Sequence, residues 1–378
     1  MMETTHSEEY STSRVLHLAF ELGNEGWNLG FSTSLGQSVR RRRVEAGDLM
    51  SVREEIRAAK KRFGLPKTAA VKSCYEAGRD GFWLHRCLLS EGVENIVVDS
   101  ASIEVSRRSK RAKTDDLDVE KLLTMLIRYH NGEKKMWSVV HVPSLEAEDR
   151  RHPHRQLVSL KRDRTRHINR IKGLLASQGL RLAVGAKFLK RLETVCLWDS
   201  SPLPSGLRAR LEREYAGLRF VEQQIRELEA ARREEICSST DPSVEKVRHL
   251  MNLRGIGENS AWLFVMEFFG WREFRNRRQV GGLAGLTPTP YQSGGEMREQ
   301  GISKAGNRLI RAMAIEIAWG WLRYQPDSEL THWFYQKFGH GSKRLRKIGI
   351  VAMARKLLIA LWNYLETGEI PPGAQLKA

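Results

Sequence analysis

Residues 15–33 read VLHLAFELGNEGWNLGFST. Residues 15–22 alternate in part between apolar and other side chains, which predicts a strand. Residues 25–33 predict its hairpin partner, with Gly23-Asn24 supplying the turn. A third strand is expected over 36–45. Residues 48–63 then change to helical spacing, with Leu49, Val52, Ile56 and Ala59 on one face and Asp48 placed to cap the N-terminus.

Further along, TAAVKSCYEAG (68–78) predicts a fourth strand running into a glycine-containing loop. A helix is expected over 80–91, a short buried strand at ENIVVD (94–99), an amphipathic helix over 115–129, and strand character again at KMWSVVHV (135–142). Three antiparallel strands followed by alternating helices and strands predict an α/β domain with a mixed sheet, in the order of the ribonuclease H type of fold.

From 144 to about 235 the pattern is helical and highly charged. Leu157, Leu160, Ile168, Ile171 and Leu175 form one seam. Leu211, Tyr215, Leu218, Val221, Ile225 and Leu228 repeat at near-heptad spacing over 206–235, and Pro202 and Pro204 break the two runs. This predicts a helical hairpin or coiled coil, packed within the chain or against a second copy. From 241 onward the chain reads as mostly helical, with long helices near 304–323, 328–338 and 344–366. Leu309, Met313, Ile317 and Trp321 are expected to be core. The expected domains are 1–145, 146–240 and 241–378.

The chain has 378 residues, with 63 Lys and Arg against 45 Asp and Glu, a net charge of +18. Clustered cations in that excess point to polyanions, chiefly nucleic acid. The N-terminal MMETTHSEEYSTS is polar and acidic, unlike a secretory signal. No run of about 18 apolar residues suggests a membrane span. Four scattered cysteines form no CxxC pair, which argues against a zinc site or disulfide framework and fits a reducing cytosol.

Four carboxylates stand out by position. Glu21 ends the first strand, Glu76 ends the fourth, and Asp115 and Asp118 share one face at the start of a helix. Clustered carboxylates repel unless a cation neutralises them. Mg²⁺ or Mn²⁺ suits an all-oxygen set, and two ions about 4 Å apart would clamp a phosphodiester. The run RRSKRAK (107–113), with Arg107, Arg108, Lys110, Arg111 and Lys113, supplies a phosphate-attracting field beside them.

The C-terminal third carries a second constellation. LRGIGENSAWLF (253–264) resembles a helix-hairpin-helix element, whose Gly255-Ile256-Gly257 turn could offer backbone N–H groups to a phosphate. Ser293 lies in a loop beside two glycines, where backbone can come close to a ligand. Arg298, Lys304, Arg308 and Arg311 lie nearby in sequence as phosphate-binding candidates. A serine there needs its proton removed and its developing charge stabilised before it attacks phosphorus, and Tyr291 is a rival nucleophile.

Together these residues resemble the insertion-sequence 110 transposases, also called DEDD transposases or bridge-RNA-guided recombinases. The resemblance runs from about 14 to 370. It rests on the strand-end acid, CYEAGRDGFWLHRCL and AKTDDLDVEKL in the N-terminal half, and on LRGIGENSA, GGLAGLTPTPYQSGG and GISKAGNRLIR in the C-terminal half. It implies a RuvC-like domain, a coiled-coil linker and a C-terminal transposase domain. It implies Glu76, Asp115 and Asp118 as metal ligands and Ser293 as the residue that joins covalently to DNA. It also implies a structured guide RNA, assembly as a homodimer or homotetramer, and a composite centre built from two subunits. Where the family's first acid is usually Asp, this chain has Glu21, one methylene longer. The arginine-rich stretch 150–172, with Arg162, Arg166 and Arg170, fits RNA or DNA backbone contact.

Two other functions are compatible with the same residues. One is a RuvC-like junction nuclease that uses water and never Ser293. The other is a decayed, non-catalytic nucleic-acid-binding protein. The expected location is the cytoplasm, at the nucleoid.

Overall fold

The computed structural model describes residues 15–103, 115–293 and 296–377, in two compact units that divide after Val142. In the first unit the sequence order is β1 (Leu16–Leu22), β2 (Gly26–Ser32), β3 (Arg40–Glu45), α1 (Leu49–Arg62), β4 (Val71–Glu76), α2 (Trp83–Ser90), β5 (Glu94–Val98) and α3 (Asp115–His130). The strands form one sheet in the order β3-β2-β1-β4-β5. β1, β2 and β3 make an antiparallel meander, and β4 and β5 run parallel to β1.

Alternation along β1 and β4 divides the core into two layers. Leu16, Leu18, Phe20 and Tyr75 pack with Val52 and Ile56 of α1 and Leu84 and Leu88 of α2. Ala19, Cys74 and Val98 face the other way and pack with Leu122, Leu123 and Leu126 of α3. Asp48 caps α1 as expected, accepting the Ser51 N–H at 3.0 Å. At Gly30 a side chain would overlap Val119 of α3, so glycine there permits the close approach of helix to sheet.

One expected strand is corrected. Residues 135–142 form only an isolated antiparallel bridge, Val98 with Val139, at the edge of β5. The stretch sits beyond the last strand, and Trp137 instead packs into the α3 layer.

The second unit begins with α4 (Leu145–Asp149) and two long helices, α5 (His152–Ala176) and α7 (Ser205–Ser238), with the short α6 (Phe188–Thr194) between them. Leu157 and Leu160 meet Val221 and Ile225, whereas Ile171 and Leu175 meet Leu211, Tyr215 and Leu218. That order makes α5 and α7 an antiparallel hairpin whose apolar seams close on each other within the chain. Lys161–Glu229 and Arg170–Glu214, each at 2.8 Å, flank the seam.

After the hairpin come α8 (Pro242–Met251), α9 (Glu258–Phe264), a π-helical turn (Val265–Phe269), α10 (Arg277–Leu283), β6 (Pro288–Ser293), β7 (Glu296–Ile302), α11 (Arg308–Tyr324), α12 (Glu329–Phe338) and α13 (Lys343–Thr367). α13 is long and apolar enough to cross a bilayer, but Ile350, Met353, Ala354, Leu357, Leu358 and Leu361 bury it in the core of this unit. α11 starts later than its pattern suggested, because Asn307 caps it. Its fully buried face is Ile310, Ala314, Ala318 and Trp321, while Leu309, Met313 and Ile317 lie at the margin.

The last described residues clasp the turn between α8 and α9. Leu376 bridges to Leu253, Arg254 N–H donates to Gln375 O at 3.0 Å, and Lys377 N–H donates to Asn252 O at 2.7 Å. Buried Gln325 ties both sides, donating to the carbonyls of Arg254 and Gln375.

Candidate acidic site and nucleic-acid interface

Glu21 and Glu76 come together through strand register. Phe20 is paired with Tyr75 across the parallel β1–β4 ladder, so Glu21 and Glu76 each follow by one residue at the same end. Both continue the Ala19 and Cys74 side of the alternation, the face that α3 covers.

The direction of α3 brings its first turn to that same end. The His130 ring lies 5.7 Å from His17, and its Nδ1 lies 3.4 Å from Lys72 Nζ, near the start of β1 and β4. Leu122 lies mid-strand, its carbonyl accepting from the Cys74 thiol at 3.9 Å. The helix therefore runs against the strand direction, and Asp115 and Asp118 open it at the Glu21–Glu76 end. Of Asp115 the structure describes the backbone; Asp118 is half-buried, Glu21 half-buried and Glu76 exposed.

The donor set is all carboxylate, the chemistry a hard divalent cation takes. Among the described residues, no three His, Cys, Asp or Glu side chains stand close enough to share an ion. Glu21, Glu76 and Asp118 thus lie at one end of the sheet without forming an ion-binding cluster by themselves, and the side chain of Asp115, which opens the same helix, lies outside the described residues. Arg107, Arg108, Lys110, Arg111 and Lys113 lie outside the described residues.

Ser293 is the last residue of β6, paired with Glu296 of β7, and Tyr291 is paired with Arg298. The expected loop is therefore a β-hairpin. Pro288 and Pro290 hid it, since proline removes a ladder donor. The Gly294-Gly295 dipeptide was the available signal.

Below the hairpin, residues 283–287 and 303–307 are knotted together. Ser303 N–H donates to Thr287 O, Lys304 N–H to Gly285 O, and Asn307 N–H to Leu283 O, at 2.8, 3.2 and 3.0 Å. Gly285 and Gly306 have φ of 67° and 106°, and a side chain at either would overlap the opposing backbone. Lys304 holds φ of 56° without being glycine, a strained conformation the knot maintains. Arg311 reaches back to Ala284 O at 3.3 Å, while Lys304 and Arg308 are exposed.

In the turn after α8, Gly257 N–H donates to Ser260 Oγ at 3.1 Å and Ile256 N–H to Leu253 O at 3.1 Å. With Arg254 N–H held by the clasp, these three amides are engaged inside the protein. On α5, Arg162 is exposed, Arg166 pairs with Asp163 at 2.7 Å, and Arg170 pairs with Glu214.

Two features escaped the sequence reading. Glu267, in the π turn, is 1% exposed and accepts two hydrogen bonds from Arg155 of α5, at 2.8 and 3.0 Å, and one from Asn307 Nδ2 at 3.2 Å. Burial alone would raise its carboxyl, but the Arg155 hydrogen bonds and charge, with Asn307, hold it below the usual carboxylate range. A lone acid inside the apolar run LFVMEFF was the signal for it. Beside it, the guanidiniums of Arg272 and Arg151 lie 4.1 and 4.8 Å from the Trp271 ring. Burial, and then the like charge of Arg151, pulls Arg272 down to about 10, and its Nε is buried without a hydrogen-bond partner.

Residues 247–332 match the sequence model of the family described as "Transposase IS116/IS110/IS902 family". The chain is 40% identical over 381 aligned positions to a putative transposase, y4rJ, of Sinorhizobium fredii, covering 96% of this chain and 95% of that protein. It is 30% identical to the transposase for insertion sequence element IS1111A of Coxiella burnetii, over 56% of each chain. It is 26% identical to the transposase for insertion sequence element IS1328 of Yersinia enterocolitica, over 57% of this chain and 63% of that one.

Proposed function

Because the chain belongs to the IS116/IS110/IS902 family of transposases, we propose that it cuts and rejoins DNA strands at an insertion-sequence end through two sites: Glu21, Glu76, Asp115 and Asp118 on the first unit, and Ser293 on the second. The observation that carries the reading is the convergence at one sheet end: two adjacent parallel strands carry Glu21 and Glu76 side by side at the same end, on the face where α3 begins with Asp115 and Asp118. The strand order and the α3 layer support a RuvC-like, ribonuclease H type of domain. The domain proposal remains 1–145, a coiled-coil linker over 146–240 and a transposase domain over 241–378.

When bound, Mg²⁺ or Mn²⁺ would polarise the scissile phosphate and neutralise the carboxylates that hold it. Ser293 Oγ attacks phosphorus; a serine–phosphate bond forms, a phosphorus–oxygen bond of the strand breaks, and the serine proton ends on the leaving hydroxyl. A hydroxyl of the second strand then reverses the exchange and frees the serine. Each step trades one phosphodiester for another, so no external energy source is needed. Lys304, Arg308 and Arg311 flank the hairpin and supply positive charge to the phosphate. A structured RNA from the same element, gripped through Arg162 and its neighbours on α5, guides the choice of DNA. A homodimer or homotetramer joins the two sites into one centre, in the cytoplasm at the nucleoid.

The test uses a supercoiled plasmid carrying the DNA that flanks the gene, with RNA transcribed from it. Denaturing gels should show protein joined to labelled DNA, absent for Ser293→Ala, while a gel shift shows RNA binding largely unchanged. Cleavage without any joined product would overturn the serine step and leave a water-using nuclease.

A further inference from the structure

Glu267 does more than neutralise Arg155. Its second oxygen takes the amide of Asn307, and Asn307 is occupied on every side. Its Oδ1 caps α11 by accepting from Leu309 and Ile310 N–H at 2.9 and 3.2 Å, and its own N–H closes the knot at Leu283 O. The knot is continuous with the base of the β6–β7 hairpin, where Pro288 is paired with Ile302 and Ser303 N–H donates to Thr287 O.

We infer that Glu267 and Asn307 are positioning residues, which set the β6–β7 hairpin relative to helix α5 by a single buried acceptor shared between Arg155 and Asn307. A carboxylate buried beside Phe268 and Phe269 is costly unless every donor reaching it is in place. Misplacing Asn307 therefore disturbs the ion pair with α5, and shifting α5 disturbs the cap on which the hairpin base rests. The geometry of strand joining is thereby tied to the position of the long helical hairpin. The catalytic consequence rests on the reading of Ser293; the positioning itself does not.

The test exchanges donor and acceptor. Asn307→Asp keeps an oxygen to cap α11 but faces Glu267 with a second carboxylate. The double variant Glu267→Gln with Asn307→Asp reverses the direction of that one contact and moves the single negative charge to position 307, while Arg155 Nε keeps the carboxamide oxygen as acceptor. Hydrogen exchange of the hairpin amides over 288–302 is the first readout, since it follows local opening. Asn307→Asp should speed that exchange about tenfold or more, the effect of losing one charge-assisted hydrogen bond. The double variant should recover part of that change, exchanging more slowly than Asn307→Asp. Strand joining on the flanking-DNA plasmid should fall and recover in parallel, with DNA binding unchanged. Should Asn307→Asp fail to fold, Asn307→Ser, which can cap but has no amide to donate, takes its place. Wild-type exchange in either single variant, or a double variant no better than Asn307→Asp, overturns the inference. Ser293→Ala should leave hairpin exchange unaltered; if it also retains joining, the serine reading falls while the exchange result still decides the positioning.

Discussion

Glu267 and two buried histidines show how single groups set the acid limit of this protein. Glu267 is held below its ordinary range, so its contribution to stability is complete above the unfolded carboxyl value and is lost as pH falls through the lower folded value. His17 and His154 work in the same direction for the opposite reason. Burial lowers each from 6.5 to about 4, so the unfolded chain binds their protons first and stability drops as pH falls from 6.5 toward 4. Each shift corresponds to about 3 kcal/mol at its full extent. His154→Leu should flatten that limb of a pH–denaturation series by roughly one such share; a limb of unchanged slope would show that His154 is charged in the fold. Glu76→Gln and Asp118→Asn should each lower strand joining by about a hundredfold or more while leaving DNA affinity in place, measured by joining rates beside gel shifts. Intact joining in both would remove the acidic site from the chemistry.

Packing of α3 on the sheet is set by one missing side chain. Gly30→Ala should push α3 away from β2 and destabilise the first unit by about 1–3 kcal/mol, read as a drop in Tm. Val119→Ala added to it should recover part of the loss; no recovery would mean that the overlap is relieved elsewhere. The elements of this unit were largely legible, because each face of β1 and β4 meets a different helix layer and the period of two is plain in Leu16, Leu18 and Phe20. The α5 and α7 seams were equally readable, since the residues predicted to face inward bury each other. What the sequence hid has physical reasons. Two prolines masked β6, and an edge position let 135–142 look like a strand while forming only one bridge. The cap at Asn307 shortens α11 at its start, and its expected core face holds at Trp321, while Ile310, Ala314 and Ala318 are more fully buried than the neighbouring Leu309, Met313 and Ile317 that pack beside them. The acids Glu21, Glu76, Asp115 and Asp118 were nameable from position, but their convergence depends on the register of β1 with β4 and on the direction of α3, which spacing alone does not contain. The isolation of Glu267 in an apolar run was visible in the sequence, but its partners, 112 and 40 residues away, were not.

Across the whole molecule, a surplus of +18 charges means that affinity and chemistry reside in different places. Many cations share the binding, whereas few groups carry the reaction. DNA and RNA affinity should therefore fall steeply with salt, with a log–log slope of several units, and a nearly flat response would contradict phosphate-dominated binding. A chelator should stop strand joining and spare binding at moderate salt; joining that survives thorough chelation would remove the metal from the proposal. The clasp of residues 375–377 on the α8–α9 turn adds a practical constraint. A purification handle fused after Ala378 would begin two residues beyond Lys377, whose backbone and ammonium both hold that turn. Clipping the final four residues would strip the partners from Asn252, Arg254 and Ile256 together and leave their polar backbone facing water.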